Sequence, residues 1–380
     1  MPELFESVPL WMWPVGFLLV LGPLVTLHEL GHYLVGRFFG VKAEAFSVGF
    51  GKELAGFNDK HGTRWKLSML PLGGYVQFKG DMNPASIPDA AALDDLAPEE
   101  KDGNFHHAAL WKRALIVLAG PVTNLVVAVL IFAGFNMIYG KVVTLDAAQT
   151  NVVGSFSDGS AAKEAGLKVG DRIVAIDGDN VYQFNEVVEK IVLYPGKEID
   201  ITIERSGAAL TLPVKISDVT ESDRFGNEAR VGRIGVYSAE QRREPVAVGE
   251  AVGLAFDQTA GLMRMMVTGI VQIVTGDRSV RELGGPIKIA KYSGEQLSLG
   301  WPTFISFAAL ISLNLAFINL LPIPALDGGH LAFYAVEAVR RKPAGARGTE
   351  WAYRMGVALV LMLMIFVTIN DVVSLPFFQS

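Results

Sequence analysis

The chain has 380 residues, 51% hydrophobic and only 19% charged, with a formal net charge of −6. A mean hydropathy of +0.34 departs from that of an ordinary soluble domain, and the dispersed negative charge excludes a nucleic-acid surface. Cysteine is absent, which excludes disulfides and thiolate metal ligands.

The first apolar stretch runs from about Leu10 to Phe39, with no charge between Phe17 and Leu27. Gly22-Pro23 predicts a break, with a new helix starting near it. That helix carries Leu27-His28-Glu29-Leu30-Gly31-His32-Tyr33, an HExxH pattern. Histidines at i and i+4 share one helix face and reach one metal, and Glu29 beside them is a candidate general base on a metal-activated water. Ionisable groups in a lipid-embedded helix are costly unless paired or coordinated. HExxH recurs by chance in soluble proteins, but inside an uncharged apolar segment it points to a metal site. A stretch that carries such a motif is not a cleaved signal peptide.

Between the first two spans, residues 65–80 place Leu70, Leu72, Tyr75, Val76 and Phe78 around a tight Gly73-Gly74 turn. A strand edge there would pair with an extended substrate, and a simple packing hairpin is the alternative. The acidic run 89–102 reads as a solvated loop, and His61, His106 and His107 as surface histidines. A second span is expected from about Ala114 to Tyr139. Gly120-Pro121 predicts a kink and a close approach. Asn124, one turn on, either bonds across helices or holds a substrate carbonyl.

Residues 150–240 read as a small β-rich domain. A short helix is expected over Ala161 to Ala165, ended by Gly166, then a strand around Ile173 to Asp177 and a Gly178-Asp179 turn. A helix follows over Phe184 to Leu193, with strands at Ile199 to Ile203 and Ala209 to Ile216. The run Ala-Gly-Leu-x-x-Gly-Asp-x-Ile-x-x-Ile-x-Gly from Ala165 to Gly178 resembles a PDZ domain of the bacterial envelope-protease kind. Such a domain takes an extended peptide by strand addition, and a ligand-free β-rich spacer is the alternative. Residues 245–275 read as a surface helix or helix pair, and Gly284-Gly285-Pro286 interrupts a second such run; these act as a brace or as a plain linker.

A third span is expected from about Trp301 to Leu321, stopped by Pro322 and Pro324. The segment Asn319-Leu-Leu-Pro-Ile-Pro-Ala-Leu-Asp-Gly-Gly-His330 follows. A catalytic zinc takes three protein ligands, so HExxH needs one more. Asp327, between the prolines and a glycine pair, is the candidate, and His330 is its rival. A fourth span runs from about Trp351 to Val373. Lys and Arg cluster at Arg37, Lys42, Lys112, Arg113, Arg340, Arg341, Lys342, Arg347 and Arg354, so loops 41–110 and 323–350 face the cytoplasm and 141–300 lies outside with both termini.

HExxH in the first span, the distant Asn319-x-x-Pro-x-Pro-x-Leu-Asp-Gly and one PDZ-like insert resemble the site-2 protease family, in its RseP-like bacterial branch. Met69-Leu-Pro-Leu-Gly-Gly-Tyr-Val-Gln-Phe-Lys-Gly80 and Gly120-Pro-Val-Thr-Asn124 fit the same branch, and the likeness covers essentially the whole chain. The resemblance implies a polytopic α-helical membrane protein of the bacterial inner membrane. It implies about four transmembrane helices, a membrane-associated β-hairpin and an extracytoplasmic PDZ-like insert. It implies Zn2+ bound by His28, His32 and Asp327, Glu29 as base, Asn319 near the substrate, and a re-entrant hairpin around residues 69–79 containing Gly73, Gly74 and Tyr75. The implied substrates are single-pass membrane proteins already trimmed by another protease, such as anti-sigma factors or remnant signal peptides. The chain divides into an N-terminal membrane region 1–140, the PDZ-like domain 141–240, an amphipathic membrane-proximal region 241–300 and a C-terminal membrane region 301–380. A metal transporter, an inactive PDZ scaffold and a peptidase of soluble peptides are the competing readings.

Overall fold

Four helices in the computed structural model are long and apolar enough to cross a membrane: Met12–Phe38, Leu110–Tyr139, Trp301–Leu320 and the Trp351–Val373 part of Ala346–Val373. They are called the first to fourth spans below. The structure describes residues 8–80, 101–144, 151–222, 228–238, 241–342 and 346–373; the acidic run up to residue 100 lies outside these. The described residues form two compact units, one comprising 8–131 with 280–373 and the other 132–279.

The expected break at Gly22-Pro23 is not there. Pro23 lies inside a continuous helix. Proline removes the N–H that would pair with the Leu19 carbonyl, a single lost backbone bond that apolar spans tolerate. The N-terminal half of the first span packs against the helix Pro286–Ser298 through glycine on both sides. A Cβ at Gly16 would stand 2.6 Å from the Ser293 carbonyl carbon, and one at Gly294 would stand 2.9 Å from Trp13. Small residues let two backbones approach where no hydrophobic gain drives them together. The same short helix is capped from the fourth span, because buried Asp371 accepts the Gly285 and Lys288 N–H groups, each at 3.0 Å.

Strands Ala43–Asn58 and Arg64–Phe78 fold into a bulged antiparallel hairpin. Segment 43–48 lies between 64–67 on one side and 74–78 on the other, so 74–78 is an outer strand among the described residues. The turn is organised by Asp59. Burial works against its ionisation, yet Trp65 Nε1–H, the His61 and Thr63 N–H groups and the Tyr33 hydroxyl hold its carboxyl well below the usual range. Tyr33 thereby ties the hairpin to the HExxH helix. Phe46, Val76 and Phe78 are buried with Tyr33 and Ile116 in one apolar cluster.

In the second unit, strands Asp179–Asn180, Arg172–Ile176, Glu198–Arg205 and Ala208–Lys215 form a sheet in that order. Ile199, Ile201 and Ile203 alternate inward as period two requires, and pack with Ile173, Val214 and the Val187–Ile191 face of the helix Phe184–Val192. The tight turn sits at Asp177-Gly178, one residue before the expected Gly178-Asp179. Both residues have positive φ, 49° and 84°, as a two-residue hairpin turn demands, and Asp and Gly tolerate it. Three further strand pairs carried no clear sequence pattern: 141–144 with 241–244, 153–156 with 236–238, and 217–222 with 228–233. Residues 248–275 are one 28-residue helix, with Gln272 Nε2 donating to the Leu193 carbonyl at 2.9 Å.

Asp171 is the buried ionic anchor of this domain. Burial pushes its carboxyl up, but Arg205 Nε and Nη2, each at 2.7 Å, and the Lys168 N–H hold it below the usual range. A depressed carboxyl stabilises the fold above its unfolded value of about 3.9, and that stabilisation is lost as pH falls below it. Asp171→Asn is expected to destabilise the domain by about 1.5–3 kcal/mol and to flatten this acid limb. Hydrogen exchange of the 198–205 amides as a function of pH measures both, and unchanged protection would refute them.

Candidate metal centre

His28, Glu29 and His32 lie in the C-terminal half of the first span, where the uninterrupted helix sets the i, i+4 histidines on one face. His28 Nε2 stands 3.2 Å from His32 Nε2. Asp327 Oδ2 stands 3.1 Å from the first and 3.6 Å from the second. Each other ring nitrogen is engaged. His32 Nδ1 donates to the Ile116 carbonyl at 2.8 Å, which leaves the Nε2 lone pair facing the cluster. His28 Nδ1 lies 3.2 Å from the Asn124 amide nitrogen, while Asn124 Oδ1 is buried without a partner. With the amide turned over, Oδ1 accepts from His28 Nδ1–H, and His28 Nε2 is freed in the same sense. Ser312 Oγ donates to the Asn124 carbonyl at 2.8 Å and holds that residue in place.

Asp327 is the first residue of the helix Asp327–Arg340. The third span ends at Leu320, and Ala325 is held at φ 87°, a left-handed conformation that costs a non-glycine residue about 1–3 kcal/mol. Gly328 and Gly329 are buried. A Cβ on either would collide with carbonyls of Leu320, Leu321 or Ile323. The glycine pair therefore permits the new helix to fold back on its own preceding loop rather than giving contact with the HExxH helix directly. Gly356 of the fourth span packs on the Pro324 carbonyl with equally little room.

The donor set fits a zinc ion. Two imidazole Nε2 atoms and a carboxylate oxygen converge, with all three ligand atoms within 4.8 Å of one another. Asp327 Oδ2 is buried with no hydrogen-bond donor of its own. Two nitrogens and one oxygen are a usual catalytic zinc set. His330, the rival ligand, is not in this group; its Nδ1 lies 2.6 Å from the Tyr353 hydroxyl.

A cavity of about 220 Å³ opens on the cluster, walled by Glu29, Gly74, Tyr75, Val76, Asn319 and His330 among others. Glu29 Oε2 accepts the Val76 N–H at 3.1 Å, so the edge of strand 74–78 runs beside it. Tyr75 stacks on Phe50 with ring centroids 6.1 Å apart. Of the expected substrate-facing residues, Asn319, Gly74 and Tyr75 share this cavity. Gly73 instead shapes the turn at φ 118°, and Asn124 stands behind His28. The Ile116 carbonyl and Val76 N–H were not legible in sequence, because every residue carries such groups. Gly120 was legible as a close approach, and the approach is to the histidines: its Cβ would overlap His32 Nε2 and lie 2.8 Å from His28 Cε1.

Residues 16–363 match the family described as "Peptidase family M50". A relative from Agrobacterium fabrum, named a "putative zinc metalloprotease", is 44% identical over 365 residues, covering 95% of this chain and 96% of the relative. "Metalloprotease MmpA" of Caulobacter vibrioides is 34% identical over 380 residues, covering 94% of each chain. Among solved structures, the PDZ domain of an SdrC-like protein from Listeria monocytogenes aligns at 22% identity and TM-score 0.19, covering 24% of this chain and 87% of that one.

Gly120→Ala is expected to lower zinc content severely in a chain that still folds, because the added methyl overlaps both ligand rings. Metal analysis of the purified variant tests this, and full zinc content would refute the crowding argument.

Proposed function

The chain belongs to peptidase family M50 and is a membrane-embedded zinc metalloprotease, and from that premise we propose that it cleaves peptide bonds in or near the transmembrane segments of single-pass membrane proteins. One observation carries the reading: His28, Glu29 and His32 sit inside a helix apolar enough to cross the bilayer, with Asp327 brought against both histidines. A protease of soluble peptides has no need to meet the desolvation cost of that placement.

In this reading His28, His32 and Asp327 hold the zinc. When bound, zinc supplies Lewis acidity toward a peptide carbonyl and lowers the pKa of water. Glu29 takes a proton from the attacking water and delivers it to the leaving amine. The Val76 N–H fixes the orientation of the Glu29 carboxylate. A transmembrane helix hides its carbonyls in i→i−4 bonds, so the scissile segment must be unwound. Strand 74–78, an outer strand of the hairpin, runs beside Glu29, where an extended segment can be laid along it. Asn319 and Tyr75, in the same cavity wall, flank that path. Asn124 acts through His28 rather than on substrate.

The orientation we infer places 141–300 outside the inner membrane and the basic loops in the cytoplasm. The β-rich domain would then meet the extracytoplasmic part of a substrate left by an earlier cleavage. Its groove between helix 184–192 and residues 231–237, lined by Val187, Ile191, Val231 and Ile234, suits an extended apolar peptide.

Two experiments test these roles. Glu29→Gln is expected to abolish cleavage of a membrane-spanning peptide with zinc retained, Asp327→Ala to lose zinc and activity, and His330→Ala to keep zinc; metal analysis and a cleavage assay on the purified variants decide. A cysteine at position 220 is expected to react with an impermeant thiol reagent on intact cells while one near 345 does not. The cysteine-free chain contributes no background, and the opposite labelling would invert the topology.

A further inference from the structure

The second span opens with Lys112 and Arg113, at the helix end where the macrodipole disfavours positive charge. Arg113 is nevertheless turned inward. Its Nη2 donates to Glu337 Oε1 at 2.9 Å, and its guanidinium stands 5.0 Å from the Tyr334 ring centroid. The two charged side chains are only 15% and 21% exposed. Glu337 and Tyr334, three residues apart, share one face of the helix Asp327–Arg340. That helix begins with Asp327, about 15 Å along the axis from Glu337. On the opposite side, Arg113 lies one turn before Ile116, whose carbonyl fixes the His32 ring.

We propose that the Arg113–Glu337 pair is a positioning link of the metal centre, setting the helix that carries Asp327 against the span that orients both histidines. The inference rests on His28, His32 and Asp327 being the ligands. Asp327 follows an irregular loop with a left-handed alanine, so the loop alone leaves the depth of its helix loosely defined. A mostly buried guanidinium–carboxylate pair has one favourable arrangement, and such pairs are better suited to choosing a register than to adding stability. A helix is stiff over three turns, so a register set at Glu337 is a register set at Asp327. A displacement of about 1 Å is enough to spoil a preorganised site.

Zinc affinity of the purified, detergent-solubilised full chain, read by competition with a chromogenic chelator, tests the link. Arg113→Gln and Glu337→Gln are each expected to weaken zinc binding about tenfold or more, in the range of outer-shell effects. The double variant is expected to be no weaker than either single one, since all three lose the same link. The double variant leaves no unpaired buried charge, so it carries the test if a single variant fails to fold. Wild-type affinity in the double variant, or strictly additive losses, would overturn the proposal. Asp327→Ala serves as the reference: if it too keeps wild-type zinc affinity, the ligand assignment itself fails, whereas zinc loss there with full affinity in the double variant sinks only the Arg113–Glu337 link.

Discussion

Two imidazoles and a carboxylate inside an apolar helical layer cannot be left to themselves. An unpaired ion there costs several kcal/mol even after relaxation, and an unpartnered polar atom costs a substantial part of that. His28, His32 and Asp327 converge so that one cation could answer that cost, and the surrounding structure holds them together. Gly120 and Gly31 let the second span press on the histidine face. The prolines and glycines from Pro322 to Gly329 break the chain where the third ligand must turn back. The second span contributes no ligand, yet it touches both histidines, through the Ile116 carbonyl and Asn124.

The hairpin 43–78 serves the same centre from another direction. Its outer strand gives the Val76 N–H to Glu29, so that carboxylate is oriented by backbone rather than by a side chain. A strand edge is a hazard in most soluble proteins, because unpaired backbone groups recruit other chains. Here the outer strand runs beside Glu29 and walls the cavity that opens on the histidines. Tyr33 and Asp59 connect hairpin and HExxH helix, so the edge and the ligands are positioned by one packed cluster.

The β-rich domain is built on different terms. Its isoleucine-rich core is closed within itself, and the Asp171–Arg205 pair sits at one edge of that core. Strands 141–144 and 241–244 pair antiparallel, which brings the two ends of the insert side by side. An insert whose ends meet can be placed between two spans without forcing them apart.

Much of this was decided locally and was therefore legible in the residues. The four apolar runs, the HExxH face, the proline-broken Asp327 segment and the alternating isoleucines of the insert depend on helix and strand periodicity and on the cost of burying charge, which act over a few neighbours. What needed the tertiary structure were relations between distant segments. The continuity of the first span through Pro23 is visible only in the fold, since an apolar span tolerates the single backbone bond that proline removes. That His330 stands apart from the group of His28, His32 and Asp327, beside Tyr353 of another span, is likewise visible only in the fold. Asn124 reads equally as a bond across helices or a substrate contact; its place beside His28 is seen only in the fold, because only the packing of two helices says which face of the second span meets the histidines. Hydrogen bonds from backbone groups such as Ile116 and Val76 leave no compositional trace, since every residue offers the same atoms and only the fold selects which are used.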